Sequence, residues 1–118
     1  MADNKFSFER LEAYQVAREA LALGVQHRAC WSGLPGEIGP QIERALVSAV
    51  LNIAEGAGRW TPADQRRHYQ IACGSITEVA AGLDIAALYG NVPAEVKEAF
   101  GSRLVRVSQM LRAMIRKR

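Results

Sequence analysis

The chain has little cysteine, proline or aromatic content: 2 Cys, 4 Pro and 7% Phe, Trp and Tyr among 118 residues. Two cysteines do not make a disulfide framework, so the fold has to rest on an apolar core. Cys30 and Cys73, both in apolar helical contexts, are expected as buried free thiols. With 49% hydrophobic and 23% charged residues, the composition excludes a disordered or fibrous chain. Strand signals are missing too: no segment alternates with a period of two, and no Asn-Gly turn separates β-branched runs. No uninterrupted apolar run approaches the ~20 residues that span a bilayer. The opening "MADNKFSFERLEAY" has no apolar run behind a basic flank, so no signal peptide and a cytoplasmic location are expected, without a membrane role. The length suits one domain, residues 1–118.

Acid is missing from one end. From Arg103 the chain carries Arg103, Arg106, Arg112, Arg116, Lys117 and Arg118 with no Asp or Glu among them. The whole chain has a formal charge of +3 and a pI near 9.2. A one-signed end suits an anionic partner, although cations near a helix C-terminus also offset its dipole.

Gly and Pro divide the rest into four helical segments, at about 8–29, 40–57, 62–89 and 93–116. Ser7 is placed to cap the first helix, with Glu9 in its first turn and Phe6 and Leu11 as a hydrophobic staple. The loop "WSGLPGEIGP" ends that helix, and "GAGRW" ends the second. Thr61, Pro62 and Asp64 fit the N-cap, N1 and N3 positions of the third. "YGNVP" separates it from the fourth. Short connections between long helices favour antiparallel neighbours, which predicts an all-α, up-down-up-down four-helix bundle.

The helix faces agree with this. On the fourth helix Val96, Phe100, Leu104, Val107, Leu111 and Ile115 form one apolar stripe, and on the third Tyr69, Ala72, Ile76, Val79, Ala80, Leu83 and Ala87 form another. The second helix is apolar over much more than one seam, with Val47, Leu51 and Ala54 away from the Ile42, Leu46 and Ile53 side. It is either the most buried helix or faces a second subunit. A single polar stripe crosses it, including Arg44, Asn52, Glu55 and Arg59. That stripe is either a solvated edge or a set of bonds across to the third helix, with Glu78 as a candidate partner.

Catalytic and metal patterns are weak. His27, Cys30, His68 and Cys73 are the conceivable zinc ligands, but His68 and Cys73 are five apart and point to different sides of a helix, so no metal and no cofactor are expected. Asp64 and His68 share a helix face without a Ser or Cys spaced to complete a triad, and no glycine-rich phosphate loop follows a strand. The chain is therefore read as a non-enzyme.

"FERLEAYQVARE", "VSAVLNIAEGAGR" and "YQIACGSITEVAAGLDIA", in that order, resemble motifs of the bacterial four-helix-bundle proteins that include those encoded in 23S ribosomal RNA intervening sequences. A relative of that family is the accessory variability determinant protein of diversity-generating retroelements, a basic nucleic-acid-binding pentamer that works with a reverse transcriptase. The resemblance implies an antiparallel bundle that assembles as a homo-oligomer, a pentamer, with no known catalytic site. Two departures are Tyr14, where the family often has Trp, and the glycine-rich first loop.

Together these features predict a non-enzymatic homo-oligomer that binds RNA or DNA without sequence preference through basic surfaces. The candidate residues are those of the C-terminal helix, followed by Arg59, Arg66 and Arg67 around the break between the second and third helices. No aromatics are interleaved with the basic C-terminal end. The alternative is a scaffold whose basic surface meets an acidic protein, with no nucleic acid involved.

Overall fold

The computed structural model describes residues 6–118. A 3-10 turn at Ser7–Arg10 leads into α1 (Glu12–Gln26), and a second at Arg28–Cys30 follows it. Then come α2 (Ile38–Gly58), α3 (Pro62–Leu88) and α4 (Ala94–Arg116). No described residue lies in a strand.

The first helix is shorter than the sequence suggests, for reasons local to both ends. Leu11 is extended (φ −74, ψ 124), which separates the opening 3-10 turn from α1. The turn is closed by Phe6, whose N–H donates to Glu9 Oε2 at 2.7 Å, so Ser7 is not the cap. Phe8 meets the Tyr14 ring edge-on at 4.8 Å and stacks on Phe6, in place of a staple between Phe6 and Leu11. At the other end the helix stops at His27, and the short turn after it drives Trp31 inward. The Trp31 indole is buried, edge-on to Phe100 at 5.7 Å. The glycine-rich loop thus supplies a core residue.

α2 runs through Gly58, so the helix ends after the Gly-Ala-Gly and not at it. It starts at Ile38, with Pro40 in the first turn, where a missing N–H costs no intrahelical bond. α3 begins as its sequence predicts: Thr61 Oγ1 accepts from the Asp64 N–H at 3.1 Å, with Pro62 as the first helical residue. It ends at Leu88, two residues before Gly90, whose φ of +75 suits glycine; Gly90 N–H reaches Ala87 O and Asn91 N–H reaches Ala86 O, a Schellman-type stop.

Cross-helix contacts set the directions. Ser7 meets Ala57 and Arg28 meets Glu43, Ile42 meets Gly82 and Gly56 meets Tyr69, Asp84 meets Lys97 and Gln65 meets Arg118, and Glu19 meets Arg103 and Glu12 meets Arg106, so each helix runs antiparallel to its neighbours and α4 returns beside α1. The result is the four-helix bundle. Its core lies between the four helices. The α4 stripe from Val96 to Leu111 is buried as its spacing requires. On α3 the buried face is rotated slightly from expectation, because His68, Gly82 and Ala86 are inside while Ala80 is exposed. The second apolar arc of α2 lies uncovered, with Val47 and Leu51 exposed. Among the described residues α3 alone is long and apolar enough by composition to cross a membrane; in the bundle it packs one face into the core and turns Gln70, Glu78 and Asp84 outward.

Candidate nucleic-acid interface

The candidate site lies where α2 ends and α3 begins. Gly56 makes it possible: a Cβ there would stand 2.6 Å from Tyr69 Cε1, so only glycine lets the last turn of α2 approach the buried Tyr69 ring this closely. That approach seats His68, the neighbour of Tyr69, against the polar stripe of α2. His68 is 5% exposed.

A buried imidazole has to have its polar atoms paired, and here both nitrogens are. Asn52 Nδ2 donates to Ser48 O at 2.9 Å, which turns Oδ1 toward His68 Nδ1 at 3.0 Å. Arg59 Nε–H donates to His68 Nε2 at 3.2 Å, and an Arg67 guanidinium nitrogen lies 3.4 Å from the same atom. Nε2 is therefore the acceptor, and Nδ1 carries the proton given to Asn52. Glu55 Oε2 lies 3.6 Å from both His68 Nδ1 and an Arg59 guanidinium nitrogen. Ser75 Oγ extends the network by donating to Ser48 Oγ at 2.9 Å.

The polar stripe of α2 is thus bonded across to α3 through Asn52 and Arg59, with the half-exposed Glu55 paired to Arg59 beside them. Its partner is His68, not Glu78. The antiparallel register explains this: Gly56 pairs with Tyr69, Ser48 with Ser75 and Ile42 with Gly82, which leaves Glu78 level with Ala45, and it faces outward. Arg44 is exposed on the outer face of α2, in a shallow groove with Val47 and Leu51. Asp64 plays no part in holding His68.

The C-terminus of α4 reaches the same end of the bundle. Arg118 Nε donates to Gln65 Oε1 at 3.0 Å, and Gln65 Nε2 donates to Arg59 O at 3.0 Å, so one glutamine ties the α2–α3 connection to the last residue of the chain. Arg66 donates to Arg118 O at 3.1 Å. The Arg118 guanidinium sits 5.0 Å from the Tyr69 ring centroid. Burial pushes the Tyr69 hydroxyl pKa up, and Arg118 partly opposes this. Arg116 and Lys117 are exposed beside them. The two basic stretches, far apart in sequence, form one end.

The other cations of α4 lie elsewhere. Arg103 pairs with Glu19 at 3.2 Å and Arg106 with Glu12, both across the seam with α1. Arg112 lines an apolar groove of about 530 Å³ between α3 and α4, together with Ile76, Leu83, Leu104 and Val105. Near it, burial raises the Cys73 thiol pKa and the Arg112 charge lowers it in part. Cys30, a free thiol in the core, is raised by burial. His27, Cys30, His68 and Cys73 do not come together, and no group of three or more His, Cys, Asp or Glu suited to a metal occurs among the described residues.

Three residues of this end escape a reading by sequence pattern. His68 sits one position off the periodic apolar stripe and looks like surface. Gln65 carries no charge. Trp60, 97% exposed, lies in the connection itself, outside any helical period. Its signal was its place between Arg59 and the Thr-Pro start of α3.

Fold and site together define a small antiparallel four-helix bundle with a polar joint between α2 and α3 and a basic end. The family model described as 23S rRNA-intervening sequence protein matches residues 9–113, nearly the whole chain. The chain belongs to that family. No curated protein matches it.

Proposed function

We propose that the protein is a non-enzymatic homo-oligomer, a pentamer acting in the cytoplasm, that binds RNA or DNA through phosphate contacts at its basic end. The observation that carries this reading is the convergence of two separate stretches at one end: Arg59, Arg66 and Arg118 meet around Gln65 and Tyr69, and their neighbours Arg67, Arg116 and Lys117 are exposed. The acids at this end are Glu55 and Asp64. Such a surface attracts a polyanion and releases its counterions. Rotational symmetry would repeat it once per subunit.

Catalysis finds no support in the joint. The acceptor nitrogen of His68 is occupied by Arg59, and no hydroxyl or thiol of a described residue bonds either ring nitrogen. Assembly draws support from Val47 and Leu51, which are 44% and 54% exposed on a helix whose other apolar face is already in the core. The free thiols Cys30 and Cys73 suit a reducing compartment.

Binding to labelled RNA and DNA across a salt series tests this. Log affinity should fall linearly with log salt, with a slope near −0.9 per phosphate contacted on duplex DNA. Replacing Arg67, Arg116 and Lys117 by Gln should flatten the slope for every sequence alike. An unchanged slope refutes the placement of the site at this end, and no affinity for nucleic acid, or affinity only for an acidic protein, refutes the nucleic-acid reading. Light scattering tests assembly: a monomer mass at all concentrations refutes it.

A further inference from the structure

The connection between α2 and α3 has a backbone pinned on both sides of a side chain that touches almost nothing. Arg59 O accepts from Gln65 Nε2, Thr61 O accepts from the Gln65 N–H at 3.0 Å, and Thr61 Oγ1 accepts from the Asp64 N–H. Between them Trp60 is 97% exposed. An indole is the largest apolar side chain, and one held out on a fixed backbone presents an open π-face to solvent.

Its neighbours are cationic. Arg59 and Arg67 both direct guanidinium nitrogens at His68 Nε2, at 3.2 and 3.4 Å. Two like charges thus share one neutral acceptor. The carboxylate nearest them is Glu55, 3.6 Å from Arg59 and half-exposed, with the exposed Asp64 on the first turn of α3. Glu55 pairs with Arg59, no ion pair to Arg67 occurs among the described residues, and the Arg59 side chain remains 45% exposed. An anion seated between Arg59 and Arg67 would complete the balance, and bidentate donors of this kind match a phosphate. Trp60 is the residue that follows Arg59, so a strand whose phosphate is held there crosses the connection that carries the indole.

We infer that this end is a single-strand site: Trp60 stacks on an unpaired base while Arg59 and Arg67, oriented by His68, hold the adjoining phosphate. In a duplex the base faces are already stacked on one another, so the indole has nothing to receive and only the phosphate contacts remain. Stacking is indifferent to base identity, which fits a site without hydrogen-bonding groups aimed at base edges. This assignment rests on the nucleic-acid reading above and goes beyond it in naming the strand state and the stacking residue.

The test uses the whole protein with a short labelled oligothymidylate and a duplex of equal length, at low ionic strength. Of the two tryptophans, Trp31 is buried at 2% exposure, so quenching of the indole emission on titration with oligothymidylate reports Trp60. Quenching is expected with the single strand and not with the duplex. Trp60→Ala should weaken oligothymidylate binding by between about 5-fold and about 150-fold, the range for loss of one stacked base, and leave duplex binding unchanged. Trp60→Phe should restore much of the loss. Arg59→Gln with Arg67→Gln should weaken both ligands. If Trp60→Ala binds oligothymidylate as the parent does while the arginine variant loses both ligands, the stacking assignment fails and nucleic-acid binding stands. If the parent binds neither ligand, the nucleic-acid reading itself fails. If Trp60→Ala changes the mass seen by light scattering, Trp60 is a subunit contact and the inference is overturned.

Discussion

Replacing Asn52 by Ala removes the group that receives the His68 proton, and the structure sets the size of the effect. The lost Oδ1 leaves a buried N–H without its 3.0 Å partner. Leaving a buried donor unsatisfied costs about 1–3 kcal/mol. Alanine returns roughly 0.5 kcal/mol as the better helix former. The bond from Nδ2 to Ser48 O is also lost, but that carbonyl lies inside α2 and keeps its place in the helical ladder. The net expectation is a destabilisation of about 1–2 kcal/mol in urea unfolding followed by circular dichroism, with the slope unchanged. Glu55 gives the contrast. It stands 3.6 Å from both partners and its side chain is 52% exposed, so Glu55→Gln should cost no more than about 0.5 kcal/mol, as for an exposed ion pair. A double-mutant cycle between Asn52 and His68 should show coupling of at least about 0.5 kcal/mol. The reasoning fails if Asn52→Ala is as stable as the parent, or if Glu55→Gln proves the more damaging change.

Further outcomes follow from other parts of the bundle. Gly90→Ala forces an L side chain to φ +75 and should lower stability by about 1 kcal/mol, read as a lower melting temperature. Arg103→Gln with Arg106→Gln removes two exposed pairs to α1; stability should change by less than about 1 kcal/mol and only at low salt, while nucleic-acid affinity stays as in the parent. Both thiols have raised pKa values, so alkylation of the folded protein should be slow at neutral pH and should still be climbing with pH where an ordinary thiol has levelled off. Arg112→Gln removes the charge that opposes the rise at Cys73 and should slow labelling of that thiol further.

The helices and their directions were legible because each depends on local chemistry. The α4 stripe needs only a period near 3.6, and Thr61-Pro62-Asp64 fixes the start of α3 without outside help. The short first helix was not legible, because Leu11 and His27 leave helical geometry for the sake of Phe8, Tyr14 and Trp31, whose contacts form only in the folded chain. The polar joint was half legible. A stripe containing Asn52 and Glu55 on an apolar helix marked one side of it. The other side, His68, required the register between α2 and α3, which Gly56 sets through Tyr69. The basic residues were all visible in sequence, but which of them share an end depended on where α4 stops relative to α3.

The seam between α1 and α4 also bears on how the chain folds. α2 and α3 are joined by three residues, 59–61, whereas the pairs that close the seam, Glu19 with Arg103 and Glu12 with Arg106, are 84 and 94 positions apart. Loop-closure entropy makes such distant pairing the later event, and its bonds are exposed ion pairs worth little each. Four of the five residues that α1 buries are small, Ala13, Ala17, Ala20 and Gly24, so undocking it exposes modest apolar area. The α2–α3 hairpin is therefore expected to form first and α1 to close against α4 last. The same seam should open first in the native molecule, with amide exchange faster along α1 than in the joint that holds His68.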